Sequence, residues 1–164
     1  MEQVFHLAGE WFKTQANIDI NHVPYKGDAP ALVDLVAGRV QMGFNTLTTA
    51  MPQVRAGKLR AIAVTSETST SLAVGLPAMA QTGYPGFVVE PWNGILGPAG
   101  MPKDTVQKIN RAINEILSRP EVQAKVQATG QYVLLGDEDS MRARLERETS
   151  KWREVARIAN VQPE

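Results

Sequence analysis

Residues 22–46 read HVPYKGDAPALVDLVAGRVQMGFNT, and this stretch decides the fold. The β-branched run Ile18–Tyr25 predicts a strand that leads into it. Ala29–Ala37 predicts a short helix capped by Asp28, because a short polar side chain commonly satisfies the first free amides of a helix. Val40–Phe44 then alternates apolar and polar residues, which is typical of a second strand. The stretch is therefore a strand–helix–strand unit.

The same alternation continues on both sides of this unit. Glu2–Gln15 predicts an amphipathic helix before it, Leu47–Ala56 a helix after it, and Leu59–Thr65 a third strand. Strands and helices that alternate at this spacing indicate parallel strands joined by right-handed crossovers. The predicted fold class is therefore α/β, with a sheet built from parallel βαβ connections.

Polar turns follow two of the predicted strands. Gly27, Asp28 and Ala29 stand after the first strand, and Asn45 and Thr46 stand after the second. In such sheets ligands bind at the carboxyl ends of the strands, where helix N-termini offer free amides and a partial positive charge. These residues form a candidate site for a carboxylate ligand. Ordinary helix caps would show the same residues, and the residues alone favour that interpretation.

The second half of the chain changes in character. Phe87–Leu96 predicts a strand that Pro91 interrupts, as happens at a sheet edge or at a crossing between two sheets. Trp92 stands at this interruption, where an aromatic side chain serves equally as core or as the wall of a pocket. After a linker rich in glycine and proline, the pattern predicts three helices, over 103–118, over 120–129 and from Asp137 onward.

Composition excludes several classes of protein. Lys and Arg number 17 and Asp and Glu number 17, so the chain lacks the basic excess of a nucleic-acid binder. The 164 residues include no cysteine, which excludes disulfides and thiolate catalysis. No apolar run reaches the roughly 18 residues that a membrane-spanning helix needs. The start of the sequence has no basic segment before an apolar one, so no signal peptide is predicted in it.

Catalytic motifs are also missing from the sequence. It contains no phosphate-binding glycine loop, no nucleophile elbow and no zinc-protease motif. The two histidines, His6 and His22, lack metal-ligand spacing, and structural roles are favoured over ligand contacts for both. We therefore predict no enzymatic activity, no metal and no cofactor.

Four blocks of the sequence carry a family resemblance. They are HLAGEWFK at 6–13, HVPYKGDAPALVDLVAGRVQMGFN at 22–45, AGKLRAIAVTS at 56–66 and EPWNGILGPAGMP at 90–102. Together they resemble the receptors of tripartite tricarboxylate transporters, known as TctC or Bug proteins. The resemblance implies a periplasmic solute-binding protein of two α/β lobes. Such a protein closes on a small organic carboxylate and passes it to membrane permease subunits, without a cofactor.

The resemblance also implies a domain organisation. Residues 1–92 correspond to the second ligand-binding lobe without its first strand, and 93–102 to the crossing strand and linker. Residues 103–164 correspond to C-terminal helices that cover the first lobe in the family. The family's first lobe itself has no counterpart in this sequence. The alternative is a truncated remnant that binds nothing, or a dimeric interaction or sensor module that associates through its uncovered helices.

Seven ligand contacts are implied when the family pattern is carried over by position. They are Tyr25, Gly27, Asp28, Ala29, Asn45, Thr46 and Trp92. Two of these positions depart from the pattern, since the family usually has Asp in place of Asn45 and commonly Asn in place of Thr46. Loss of the carboxylate at position 45 removes a negative charge from the pocket floor. That loss relaxes selection for an amine-bearing ligand, or marks a site that is no longer maintained.

Overall fold

The structure, a computed structural model, describes residues 2–159 and residue 161. The α-helices within those residues are α1 (Glu2–Ala16), α2 (Asp28–Val36), α3 (Leu47–Arg55), α4 (Lys103–Leu117), α5 (Pro120–Ala128) and α6 (Glu138–Ile158). Two short 3-10 turns, Ser71–Ala73 and Met79–Gln81, lie between α3 and α4. The six helices predicted from the sequence are thereby confirmed, each to within one residue of its expected bounds.

The predicted strands do not pair into a sheet within the described residues. Those residues contain a single isolated parallel bridge, between Val64 and Ala78. The amide of Val64 donates to the carbonyl of Pro77, and the amide of Met79 donates to the carbonyl of Val64, both at 2.9 Å. Thr65 adds one further link, since its carbonyl accepts from the amide of Val89 at 2.8 Å.

The parallel sheet expected from the sequence is therefore not confirmed. The segments predicted as strands, Ile18–Tyr25, Val40–Phe44, Leu59–Thr65 and Phe87–Leu96, form no hydrogen-bonded ladder among the described residues. The physical reason is that alternation and β-branching favour an extended backbone, whereas a ladder needs a second backbone at the right spacing. A local pattern predicts the first property and carries no information about the second.

The described residues divide into two compact units. Unit 1 consists of the residues up to Pro91 together with those from Trp152 onward, and unit 2 is Trp92–Lys151. Each unit is described separately below.

The core of unit 1 is built on one face of α1. Ala8 and Trp11 are buried on that face, and Trp11 stacks on Phe87 with ring centroids 4.6 Å apart. Phe87 is fully buried, which contributes roughly 1.5–3 kcal/mol to the stability of the fold. Phe12 contacts Phe87 edge-on at 6.2 Å, and Val155 of α6 joins the same cluster.

A second, smaller cluster in unit 1 positions α3. Val64, Ala73 and Ala78 are buried together, and Leu47 at the start of α3 packs against them. The beginning of α3 is thus tied to the bridge at Val64, which fixes where its first turn lies.

Unit 2 is held together chiefly by polar contacts between α4 and the segment before α6. Asn110 and Asn114 both donate to the carbonyl of Gly136, at 2.9 and 2.8 Å. Asp137 caps α6 as predicted, because its carboxylate accepts from the amide of Ser140 at 2.9 Å. In return, the Ser140 hydroxyl accepts from the amide of Asp137 at 2.8 Å.

Across the helices that the structure describes, none combines the length and the apolar character needed to cross a membrane.

Candidate functional site

The first turns of α2 and α3 are joined through one carboxylate, that of Asp28. Its Oδ1 accepts a hydrogen bond from Nδ2 of Asn45 at 2.7 Å. Its Oδ2 accepts from the amide of Thr46 at 3.1 Å, from the Thr46 hydroxyl at 2.9 Å and from the Thr49 hydroxyl at 2.6 Å. Three of the predicted site residues, Asp28, Asn45 and Thr46, are therefore brought together in the structure.

This arrangement differs from the predicted caps. The sequence predicts that Asp28 caps α2, but Asp28 is the first residue of α2, and its side chain serves the N-terminus of α3 instead. Thr46 is the N-cap residue of α3 as predicted, yet its side chain makes no capping bond to that helix. A carboxylate at a helix N-terminus satisfies free amides and matches the positive end of the helix dipole. Asp28 supplies both functions from a neighbouring helix.

The core of unit 1 aims Asn45 at Asp28. Phe44, the preceding residue, contacts the ring of Phe87 at a centroid distance of 6.0 Å. Gly43 leaves room for the Asn45 side chain, since a Cβ at position 43 would lie 2.9 Å from Oδ1 of Asn45. The site is thus positioned by apolar packing on one side and by a close backbone approach on the other.

The charge state of Asp28 follows from these contacts. Partial burial alone would raise the pKa of Asp28, but hydrogen bonds from Thr49, Asn45 and Thr46 outweigh that effect and hold the pKa below its ordinary value. The carboxylate is therefore ionised at neutral pH, with its negative charge directed to the N-terminus of α3.

The N-terminus of α2 has no such partner among the described residues. Gly27 is its N-cap residue, with φ of 105°, a backbone conformation that favours glycine. No side chain makes a capping bond there, and the amides of Asp28 and Ala29 make no backbone hydrogen bond outside the helix. Ala29 is exposed. Two free amides at the positive end of a helix match the geometry of a carboxylate oxygen.

Tyr25 is engaged in a contact that the sequence did not predict. Its hydroxyl donates to Oδ2 of Asp34 at 2.9 Å, and Nη1 of Arg39 donates to Oδ1 of the same carboxylate at 2.8 Å. The hydrogen bond to Asp34 raises the pKa of Tyr25, while the bonds from Tyr25 and Arg39 lower the pKa of Asp34. The turn that carries Gly27 is thereby tied back to the body of α2.

Trp92, the remaining predicted site residue, belongs to unit 2 and is half-buried there. The guanidinium carbon of Arg144 lies 5.4 Å from the centre of its indole ring, a cation–π contact. Gly94 lies close by, since a Cβ at position 94 would be 3.1 Å from the indole. Six of the seven predicted residues thus lie in unit 1 and one lies in unit 2.

Sequence reasoning missed Thr49, Asp34, Arg39 and Arg144. Two of them carried a usable signal. Thr49 lies one turn into α3 in a threonine-rich run, where hydroxyls can face a neighbouring acceptor. Asp34 is an acidic residue inside the otherwise apolar helix α2, which favours a specific partner. The described residues contain no group of three or more His, Asp or Glu side chains suited to a metal ion. A depression between the ends of α1 and α6 includes none of the predicted site residues.

Comparison with known proteins assigns the class. Residues 2–161 match the family described as "Tripartite tricarboxylate transporter family receptor", TctC, and the chain belongs to this family. Its members are receptors of a transport system, and the chain is a solute-binding protein of the TctC and Bug type.

Two curated relatives show how much of a receptor the chain represents. It is 34% identical over 152 residues to the protein BugT of Bordetella pertussis, covering 93% of this chain and 47% of BugT. It is 35% identical over 148 residues to a UPF0065 protein of the clcB–clcD intergenic region of Pseudomonas knackmussii, covering 90% of this chain and 88% of that protein. The chain therefore spans about half the length of BugT and most of the length of the second relative.

Solved structures support the same fold. Rpa4515 of R. palustris with adipate superposes with a TM-score of 0.88 at 32% identity, over 98% of this chain and 54% of that one. The periplasmic binding protein BugD gives 0.82 at 30% identity, over 98% of this chain and 54% of BugD. MatC of Rhodopseudomonas palustris with bound malate gives 0.75 at 26% identity, over 93% and 53%. The chain thus has the fold of about half of a periplasmic binding protein.

Proposed function

We propose that this chain is part of an extracytoplasmic receptor that captures a small organic carboxylate for a tripartite tricarboxylate transporter. The observation that carries the proposal is the pairing of two helix N-termini through Asp28. The carboxylate of Asp28 serves α3, while the amides of Asp28 and Ala29 at the start of α2 are left for a ligand. Related proteins were solved with adipate and with malate, both of which present carboxylates.

The proposal extends to location and partners. A periplasmic location follows from the likeness to the periplasmic binding protein BugD, and membrane permease subunits are the partners that the family description implies. Residues 1–92 would form the second ligand-binding lobe, with the extended segments paired into a parallel sheet. Residues 93–102 would form the crossing strand and linker, and residues 103–164 the C-terminal helices. Tyr25, Asn45, Thr46 and Trp92 would line the ligand around the α2 N-terminus.

The mechanism of capture needs no covalent step. One ligand carboxylate would accept hydrogen bonds from the amides of Asp28 and Ala29, favoured by the helix dipole. Charge-assisted hydrogen bonds of this kind are stronger than neutral ones. Asp28 would act indirectly, because its side chain holds Asn45 and Thr46 beside the same turn.

A proline substitution tests the proposed donor. Ala29→Pro removes the amide hydrogen without changing the charge, at a first-turn position where proline is compatible with a helix. We expect titration calorimetry to show adipate or malate binding to the wild-type chain and at least a tenfold loss of affinity in this variant. Lys103→Pro, at the first position of α4, is the control for proline in a first turn. Wild-type chain that binds neither acid, or equal binding by both variants, would contradict the proposal.

A further inference from the structure

Unit 2 has no interior of its own. None of residues 92–151, all of which the structure describes, is buried, and the buried hydrophobic side chains of the described residues all lie in unit 1. A domain of 60 residues normally buries about 60% of the surface of its unfolded chain. A segment of this length with three helices and no buried residue lacks most of the hydrophobic stabilisation that holds a folded domain together.

The apolar side chains of unit 2 are instead exposed. We define its apolar surface as Ile95, Leu96, Ile109, Ile116, Leu134 and Leu135. Ile95 and Leu96 are 71% and 75% exposed, values far above those of a core residue. The last two residues of the set directly precede Gly136, whose carbonyl Asn110 and Asn114 hold against α4, the helix that carries Ile109 and Ile116. Extended exposed apolar patches of this kind mark interaction surfaces.

Arg144 adds a polar requirement in the same unit. Its Nε is buried and has no hydrogen-bond partner, while its guanidinium lies over the ring of Trp92. A buried donor on a charged group is costly unless an acceptor reaches it. Whatever covers this unit is therefore expected to bring an oxygen acceptor to Arg144 as well as apolar side chains.

The size of the related proteins indicates what covers this surface. The chain accounts for 47% of BugT and for 54% of Rpa4515, and 98% of it superposes on Rpa4515 with a TM-score of 0.88. The conformation of unit 2 is therefore one that occurs in a molecule about twice as large, in which a further segment of similar length is present. A second copy of this chain would repeat the same half and supply no such segment.

We propose that the apolar surface of unit 2 is the docking face for the segment that makes up the other half of a TctC receptor, and that it binds this segment also when the two are separate polypeptides. The interaction joins two parts of one binding protein. It does not depend on the ligand or on the α2 N-terminus, so its failure is distinguishable from failure of the proposed carboxylate capture.

The experiment mixes this chain with the part of Rpa4515 that it does not match, produced as a separate polypeptide. We expect light scattering after size exclusion to show a 1:1 complex. Ile116→Asp should weaken the complex at least tenfold, because it places a charge in the apolar contact. Val74→Asp is the matched control, since Val74 is 87% exposed and lies in unit 1. Circular dichroism of each variant alone separates a lost contact from a lost fold, and Leu134→Asp is the second variant if the first does not fold.

Three outcomes would overturn the proposal. One is the absence of any complex with the wild-type chain. Another is a complex that Ile116→Asp and Leu134→Asp leave unchanged. The third is a stable dimer of this chain alone that these substitutions dissociate, which would assign the surface to a second copy.

Discussion

The carboxylate of Asp28 and the side-chain amide of Asn45, 17 positions apart in sequence, are joined by a hydrogen bond of 2.7 Å. This contact ties the first turn of α2 to the residue that precedes the N-cap of α3. It sets the distance between two helix N-termini, of which one is capped by Asp28 and the other is left open. The carboxylate-binding account of the chain depends on this pairing.

Replacing Asp28 should loosen the start of α3. Asp28→Asn removes the negative charge and replaces one acceptor oxygen with a donor, so that contacts from Thr46 and Thr49 are lost. We expect the free energy of unfolding to fall by about 1–2 kcal/mol, the usual cost of losing a helix cap. Urea denaturation measures the change. Asp104→Asn, in the first turn of α4, is the matched control and should change stability by much less, and an equal effect in both variants would contradict the role given to Asp28.

The same carboxylate predicts how stability depends on pH. Because hydrogen bonds hold the pKa of Asp28 below its ordinary value of 3.8, its contribution is fully present above that value. The contribution is lost as pH falls through the lowered pKa of the folded state. The difference in unfolding free energy between wild type and Asp28→Asn should therefore be constant near neutral pH and shrink in acid. A difference that grows as the pH falls below 3.8 would have the wrong sign.

Asn45→Asp should place two carboxylates in direct contact. The hydrogen bond from Asn45 to Asp28 is replaced by repulsion, which at neutral pH lowers the free energy of unfolding by on the order of 2 kcal/mol for a partly solvated pair. Protonation of one of the two groups relieves the repulsion, so the loss should diminish toward pH 4. Thermal melts at two pH values give the comparison. Asn45→Ala removes the hydrogen bond without adding charge, and if its melts matched those of Asn45→Asp at both pH values, the repulsion would be absent.

The rings of His6 and His22 stack at a centroid distance of 4.0 Å and predict a second pH effect. Burial lowers the pKa of His22 and the charge of His6 lowers it further, against an opposing effect of Glu10. The folded state therefore resists protonation of His22, and stability should fall as pH drops below the ordinary value of 6.5. His22→Gln should flatten this part of the profile. A His22 resonance that titrates above 6.5 in NMR would contradict this account.

Several features of the fold and the site could be predicted from sequence because they are local. The periodicity of Val4, Ala8 and Trp11 is visible within one segment, and α1 begins and ends within one residue of its expected bounds. The proximity of Asp28 to Asn45 follows from the rule that polar turns after neighbouring strands meet at one edge, and the structure confirms it although no strand ladder is present.

Other features could not be predicted because they depend on which segments meet in space. The side chain of Asp28 could have capped its own helix, and only the fold shows that α3 lies within reach. The contact between Tyr25 and Asp34 depends on how the turn folds back on α2. Strand pairing depends in the same way on a second backbone, which is why the pattern of Val40–Phe44 indicates an extended segment without indicating its partner.

The most direct test of carboxylate capture follows the backbone amides of Asp28 and Ala29 by NMR during a titration with adipate. The account predicts saturable shifts of these two amide resonances, larger than that of Ala31 deeper in the same helix, because the ligand carboxylate accepts hydrogen bonds from the first turn. Adipate that binds while the two resonances stay in place, or that does not bind at all, would contradict the account.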